Sequence, residues 1–283
     1  MVLDYGKKIL KETLLYDIGF GDLTTELIIP DNHTSIGNII VKEENGIVLC
    51  GINIIKEFVE DYGLSVKIFG CDGEFINKNS KIMEITGNTK KILTIERTIL
   101  NLLMHLCGIA TNTYNIVNNV KKINNNIKVA CTRKTTPMLS PLEKYAVFIG
   151  GGDTHRFRLD DLVLIKDNHI KAVGIENCFK VAKKLSFTKK IEIEVDNIEQ
   201  LNKVLPYNPD IIMLDNFSHE NIEKAVNIIN EHNKKNNKNI LIEVSGGINS
   251  KTILEYAKYN VNIVSLSELI TKANSVDLSL NLK

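Results

Sequence analysis

Four arginines stand against 31 lysines in this 283-residue chain, and three of the four, Arg133, Arg156 and Arg158, fall inside one short stretch, residues 131–158. The same stretch holds Lys134, Lys144 and His155 against only Glu143 and Asp153: five formal cations less two anions, a local balance of +3 before His155 is counted. Arginine presents a planar fork of donors that meets a carboxylate or phosphate at two points, whereas lysine acts as a hydrated point charge. Arg133 follows an apolar run in TRKTTP, and Arg156 follows a glycine triplet in GGGDTHR, where the backbone must bend. Such a cluster implies a small polyanionic ligand. Arg158, with Asp160 and Asp161 beside it, reads as a structural ion pair.

Acidic groups converge on the same chemistry. Glu194 closes IEIEV and Asp215 closes IIMLD. Two carboxylates facing a polyanion suggest either Mg2+ bridged to phosphate oxygens or hydrogen bonds to ribose hydroxyls. Ser245, Gly246 and Gly247 precede the helical pattern SKTILEYAKYN and supply backbone N–H groups for a phosphate, with Ser267 in SLSEL closing the loop region. His155 and His169 are the histidines near this chemistry, and no metal is assigned to either. The five cysteines are widely spaced with no CxxC, which indicates neither a zinc knuckle nor a disulfide framework.

The elements that must position these groups follow a rhythm. After about residue 127, six apolar runs (IKVACT, DLVLIKD, IEIEVD, DIIMLD, ILIEVS and NIVSLS) are each followed by a helical segment, the pattern of repeated βα units. The polar groups sit at or just past the carboxyl end of every run. A barrel distributes its chemistry that way, whereas a doubly wound sheet gathers it at one switch point. Six runs are two short of a closed eight-stranded barrel. Residues 35–85 instead carry short β-rich pieces with glycine and asparagine turns and one helical stretch, behind an amphipathic helix over residues 3–18, which reads as an α+β half. The segment ERTILNLLMHLCGIATNTYNIVNNV, with Ile99, Leu102, Leu103, Leu106 and Ala110 on one stripe, joins the halves as a long helix.

Composition bounds the rest. With 43% hydrophobic and 24% charged residues the chain can bury a sizeable core, and a net charge of +1 argues against a dedicated nucleic-acid binder. No apolar run approaching the roughly 18–20 residues of a membrane span is read, so a cytoplasmic protein is expected. Asparagine- and lysine-rich runs such as residues 232–239 read as solvated loops and helix ends.

Taken together, TRKTTP, LEKYAV, GGGDTHR, LIKDNHI, IEVDN, IIMLDN and IEVSGGI occur in an order and spacing that resemble the quinolinate phosphoribosyltransferase family, nicotinate-nucleotide pyrophosphorylase (carboxylating). GDLTTELIIP and ERTILNLLMHLCGIAT extend the resemblance over nearly the whole chain. It implies an N-terminal α/β sandwich domain over residues 1–110, packed with a tail at 274–283, and an incomplete α/β barrel over residues 111–273. It also implies a homodimer, or a higher oligomer of dimers, whose active site borrows Arg97 from the partner. The implied reaction joins quinolinate and phosphoribosyl pyrophosphate (PRPP) to give nicotinate mononucleotide, pyrophosphate and CO2 in de novo NAD biosynthesis, with Mg2+ and no organic cofactor.

Under this resemblance Arg133, Arg156, His155 and Lys166, beside Thr132 and with Arg97 from the second chain, clamp the two carboxylates of quinolinate. Lys134 and Lys166 face the pyrophosphate. Glu194 and Asp215 hold the ribose hydroxyls and, through substrate and water, Mg2+. Ser245, Gly246, Gly247 and Ser267 hold the 5′-phosphate. The catalytic set is Lys134, Lys166, Glu194 and Asp215. Met138 and Ser140 depart from the glycine and arginine common in the family, Ser267 stands where a glycine is usual, and Cys107 replaces a usual serine. Competing readings are a molybdenum-transport-associated paralogue, which lacks the LIKDNHI motif, and a nicotinate-specific transferase, which needs fewer cations. An aldolase-type barrel would use Lys166 or Lys134 as a Schiff base. A non-catalytic phosphate-binding scaffold would leave this set of strand-end groups as a surplus.

Overall fold

The computed structural model describes residues 2–283. Two compact units emerge, one formed by residues up to 115 with 135–151 and 269–283, the other by residues 116–134 and 152–268.

In the first unit, α1 (Val2–Ile18) and α2 (Leu23–Ile28) precede β1 (Thr34–Val41), β2 (Ile47–Val48), α3 (Ile52–Asp61), β3 (Ser65–Ile68), β4 (Phe75–Ile76) and β5 (Lys81–Asn88). Asp22 caps α2 by accepting the Thr25 N–H at 3.0 Å, which satisfies one of the free donors of the first turn. Helix α3 buries Ile52, Ile54, Ile55, Phe58 and Val59 and packs on α1 and β3. The helix α4 (Thr89–Lys121) follows, and the chain passes into the second unit within it. Helix α4 has 33 residues and holds an 18-residue window of mean hydropathy 1.4, so by length and composition a part of it could cross a bilayer, which corrects the expectation of no such segment. Its Ile92, Ile95, Ile99, Leu103 and Leu106 are buried within the protein itself, as in a core helix.

The second unit carries β6 (Lys128–Ala130), β7 (Val163–Ile165), α6 (Asp167–Val173), α7 (Ile175–Ala182), β8 (Ile191–Val195), α8 (Ile198–Val204), β9 (Ile211–Asp215), α9 (His219–Asn236), β10 (Leu241–Ser245), α10 (Ile253–Tyr256) and β11 (Ile263–Ser265). Between β6 and β7 lies α5 (Ser140–Ile149), which clusters with the first unit because it packs on α1. The strands form one parallel sheet in the order β6-β11-β10-β9-β8-β7. That order runs through the chain without the reversal of a doubly wound sheet, and the first strand lies beside the last. It is the order of a barrel opened between β6 and β7. Asp153 partly fills the outer edge of β6 through a single parallel bridge to Ala130, with Asp153 N–H on Val129 at 2.7 Å and Cys131 N–H on Asp153 at 2.9 Å. The chain is thus an incomplete α/β barrel with a separate α+β unit.

After α11 (Glu268–Thr271), β12 (Leu278–Leu282) pairs antiparallel with β1, giving a sheet in the order β12-β1-β5-β3 in the first unit. The returning tail also passes α4 so closely that a Cβ on Gly108 would lie 2.1 Å from the Asn274 carbonyl oxygen. Alanine gains about 1 kcal/mol of helix propensity over glycine, but a clash with fixed backbone costs about 1–3 kcal/mol and wins. Gly108→Ala is therefore expected to lower stability in urea unfolding, where propensity alone would raise it.

Candidate active site

Six parallel strands that end at one rim deliver their terminal residues to one cavity. Along a strand successive side chains alternate sides, so the residue two before each strand-end group also faces inward. The cavity, about 580 Å³, is lined by such pairs: Leu164 and Lys166, Met213 and Asp215, Glu243 and Ser245, Ser265 and Ser267. Thr132, Arg133, Lys134, His155, Arg156, Glu194, Gly246 and Gly247 complete the set expected from sequence. Arg97 is not among the lining residues; it lies on the exposed face of α4. The volume suits a ligand of small-molecule size.

Cations line the cavity. Arg156 is buried, and its guanidinium is held below its usual pKa first by that burial and then by the charge of Arg133. Lys166 ion-pairs with Glu194 across the rim. The Lys166 backbone is fixed by His169, whose Nδ1 accepts its N–H at 2.9 Å at the start of α6. Arg158 lies outside this lining, its N–H on Asp161 Oδ2 at 2.9 Å.

Acids line the same cavity. Carboxylate oxygens of Glu194, Asp196 and Asp215 lie within 4.8 Å of one another, and burial, then the Glu194 charge, raise the Asp215 pKa against the pull of Lys166. Asn216, given no role from sequence, donates from Nδ2 to Asp215 Oδ2 at 2.8 Å. Its backbone N–H bonds the Ser245 carbonyl at 2.9 Å and ties β9 to the glycine loop. Gly246 has φ +90°, and a Cβ there would sit 2.4 Å from Asn216 Oδ1, so the turn admits only glycine.

Beneath these groups lies a buried cluster that sequence reading missed. His155 Nε2 donates to Glu243 Oε2 at 3.0 Å and stands 3.2 Å from Glu192 Oε2, and both glutamates are fully buried. His155 Nδ1 accepts the Arg156 N–H at 2.7 Å. Both ring nitrogens are therefore engaged by the protein, which sets His155 apart from the direct carboxylate contact expected of it. Burial would lower the His155 pKa, but the adjacent carboxylates of Glu192 and Glu243 raise it to about 10. Because Nδ1 accepts the Arg156 N–H, Nε2 is the ring's donor toward the glutamates, and burial pushes the Glu192 carboxyl upward. Glutamates in mid-strand, in IEIEV and LIEVS, were the available signal: each lies two residues before a strand-end group and must share its side.

The fold and site define a class, incomplete α/β barrel proteins with a charged cavity at the carboxyl rim of the sheet. Residues 22–107 match the N-terminal domain and residues 109–281 the C-terminal domain of the quinolinate phosphoribosyl transferase family, and the chain belongs to that family. It is 54% identical over 283 residues to the "Probable nicotinate-nucleotide pyrophosphorylase [carboxylating]" of Methanocaldococcus jannaschii, covering 100% of this chain and 99% of that protein. It is 31% identical to the enzyme named without the qualifier in Mycobacterium leprae, covering 99% and 98%. A solved nicotinate-nucleotide pyrophosphorylase from Francisella tularensis superposes with TM-score 0.90 at 34% identity, covering 99% of this chain and 97% of that one. One from Ehrlichia chaffeensis gives 0.88 at 35%, covering 98% of each.

The Asp215 shift carries a sign. A carboxyl with a raised folded-state pKa favours the folded protein only while protonated, and that advantage is lost as pH rises through the folded value. Asp215→Asn is expected to melt at or above the wild-type temperature at pH 7.5, with the difference gone below pH 3.8, the ordinary aspartate value. A variant less stable at pH 7.5 in scanning calorimetry contradicts this.

Proposed function

We propose that this chain transfers the phosphoribosyl group of PRPP to the ring nitrogen of quinolinate, with loss of pyrophosphate and CO2, giving nicotinate mononucleotide in de novo NAD biosynthesis. Family membership supports the reaction, and one observation supports the substrate: Arg156 and Arg133 crowd a single cavity against their own repulsion. A dianion relieves that repulsion, and a monocarboxylate does so by half.

Arg133, Arg156 and Lys166, beside Thr132 and supported by His155, clamp the two carboxylates and aim the pyridine nitrogen at C1 of the ribose. Lys134 and Lys166 neutralise the departing pyrophosphate while C1 passes through an oxocarbenium-like state, so positioning and charge stabilisation carry the chemistry. Glu194 and Asp215 orient the ribose hydroxyls. Ser245, Gly246, Gly247 and Ser267 hold the 5′-phosphate. The hard oxygen donors of Glu194 and Asp215, drawn together despite their charge, fit Mg2+, which supplies charge neutralisation at the pyrophosphate when bound. Once the nitrogen is ribosylated and cationic, the bond from C2 to its carboxylate breaks, the cationic nitrogen stabilises the anion left at C2, and a proton replaces CO2.

In this reading the protein works as a cytoplasmic homodimer, with Arg97 reaching the pocket of the second chain. Incubation with quinolinate, PRPP and Mg2+ is expected to yield nicotinate mononucleotide and CO2 in equal amounts. Chelation of Mg2+ abolishes turnover, nicotinate substitutes poorly, and no CO2 appears without PRPP. Absence of turnover by folded protein defeats the assignment, and CO2 release without PRPP defeats the order of steps.

Sharing of Arg97 has its own test. Arg97→Ala and Arg133→Ala homodimers are each expected to be inactive, while an equal mixture whose chains exchange at random regains about a quarter of wild-type activity, since half of the dimers are mixed and each of those has one intact site of two. No recovery after verified exchange excludes sharing.

A further inference from the structure

His155 is the most constrained residue at the floor of the cavity. Its φ of +51° is left-handed, which costs a non-glycine residue energy and persists only where neighbours hold it. Three contacts do so. Asp153 Oδ1 accepts the His155 N–H at 2.8 Å, Glu243 Oε2 accepts from Nε2 at 3.0 Å, and Nδ1 accepts the Arg156 N–H at 2.7 Å. Asp153 is itself anchored to β6 on both of its backbone bonds. The left-handed turn and the ring are therefore fixed to β6 on one side and to β10 on the other, and Arg156, which enters the cavity, is the next residue along.

His155, Glu192 and Glu243 together have the composition of a divalent-cation site, with one ligand atom from each within 4.8 Å of the others. The ring's hydrogen bonds argue otherwise. Nδ1 accepts from Arg156, so the ring proton turned toward the glutamates is on Nε2. A nitrogen that binds a metal has no proton, and Nε2 is the one turned toward the glutamates. The cluster is arranged as donor to acceptor, not as ligands around an ion.

We propose that Glu243 is a positioning residue for the dianion pocket. By accepting the Nε2 proton of His155 it locks the ring so that Nδ1 receives the Arg156 N–H, which sets where the Arg156 guanidinium stands in the cavity. Glu192, fully buried, with its carboxylate oxygens outside hydrogen-bond alignment, walls the other side of the ring. This rests on the reading that the cavity binds quinolinate. Glu243 itself acts through His155 and need not touch substrate.

The expected signature is a split between substrates. Glu243→Ala should raise KM for quinolinate about tenfold or more, the scale on which a misplaced binding group is felt, and leave KM for PRPP within about twofold. Glu243→Gln keeps an acceptor for Nε2–H and should stay within about threefold of wild type for both. In an Arg156→Ala background, Glu243→Ala should add nothing to KM for quinolinate, since the two act in series. Should Glu243→Ala fail to fold, His155→Ala, which removes the acceptor of the Arg156 N–H, carries the same expectations. Equal rises in both KM values, a Gln variant as impaired as Ala, or additive effects with Arg156→Ala would each overturn the proposal. Wild-type protein that turns over no quinolinate overturns instead the function on which it rests.

Discussion

One geometric constraint organises this protein: parallel strands that share a direction end at a shared rim, and alternation along each strand decides which residues face inward. Lys166, Glu194, Asp215, Ser245 and Ser267 come from five different strands or their immediate ends, yet they meet because each is the inward residue at its strand's last turn. The same alternation places Glu243 below Ser245 and Glu192 below Glu194. Chemistry at the rim and support at the floor are two readings of one periodicity.

That constraint also explains what was legible in the sequence. Rim residues could be found because a polar side chain just past an apolar run has few structural uses, and six runs repeat the signal. Glu192 and Glu243 were missed because a carboxylate inside a strand reads as an interruption of the apolar pattern until its parity with Glu194 and Ser245 is noticed. Residues 135–151 were counted with the barrel, but α5 packs on α1, more than a hundred residues earlier, and no local periodicity encodes a partner that distant. Helix α4 was read as a joining helix, and its composition alone equally fits a membrane span; only its buried face separates the two.

The site holds like charges together. Arg133 and Arg156 oppose one another, as do Asp215 and Glu194, and burial adds to each conflict. A near-neutral chain, +1 overall, conceals this because opposite charges cancel in the count. Folded protein carries the strain, and a ligand with anionic and hydroxyl groups in the complementary arrangement removes it. Any such ligand binds the folded state alone and shifts the folding equilibrium in its favour.

The pairing of β12 with β1 has a consequence for how the chain is made. Strand β1 begins at residue 34, but the neighbour that covers one of its edges is residues 278–282. During synthesis on the ribosome, that edge stays open while nearly 240 further residues are added, as judged from the separation of Val41 and Leu278. An uncovered edge is a template for pairing with other chains, so the N-terminal unit must wait in an association-prone form while the barrel folds ahead of it.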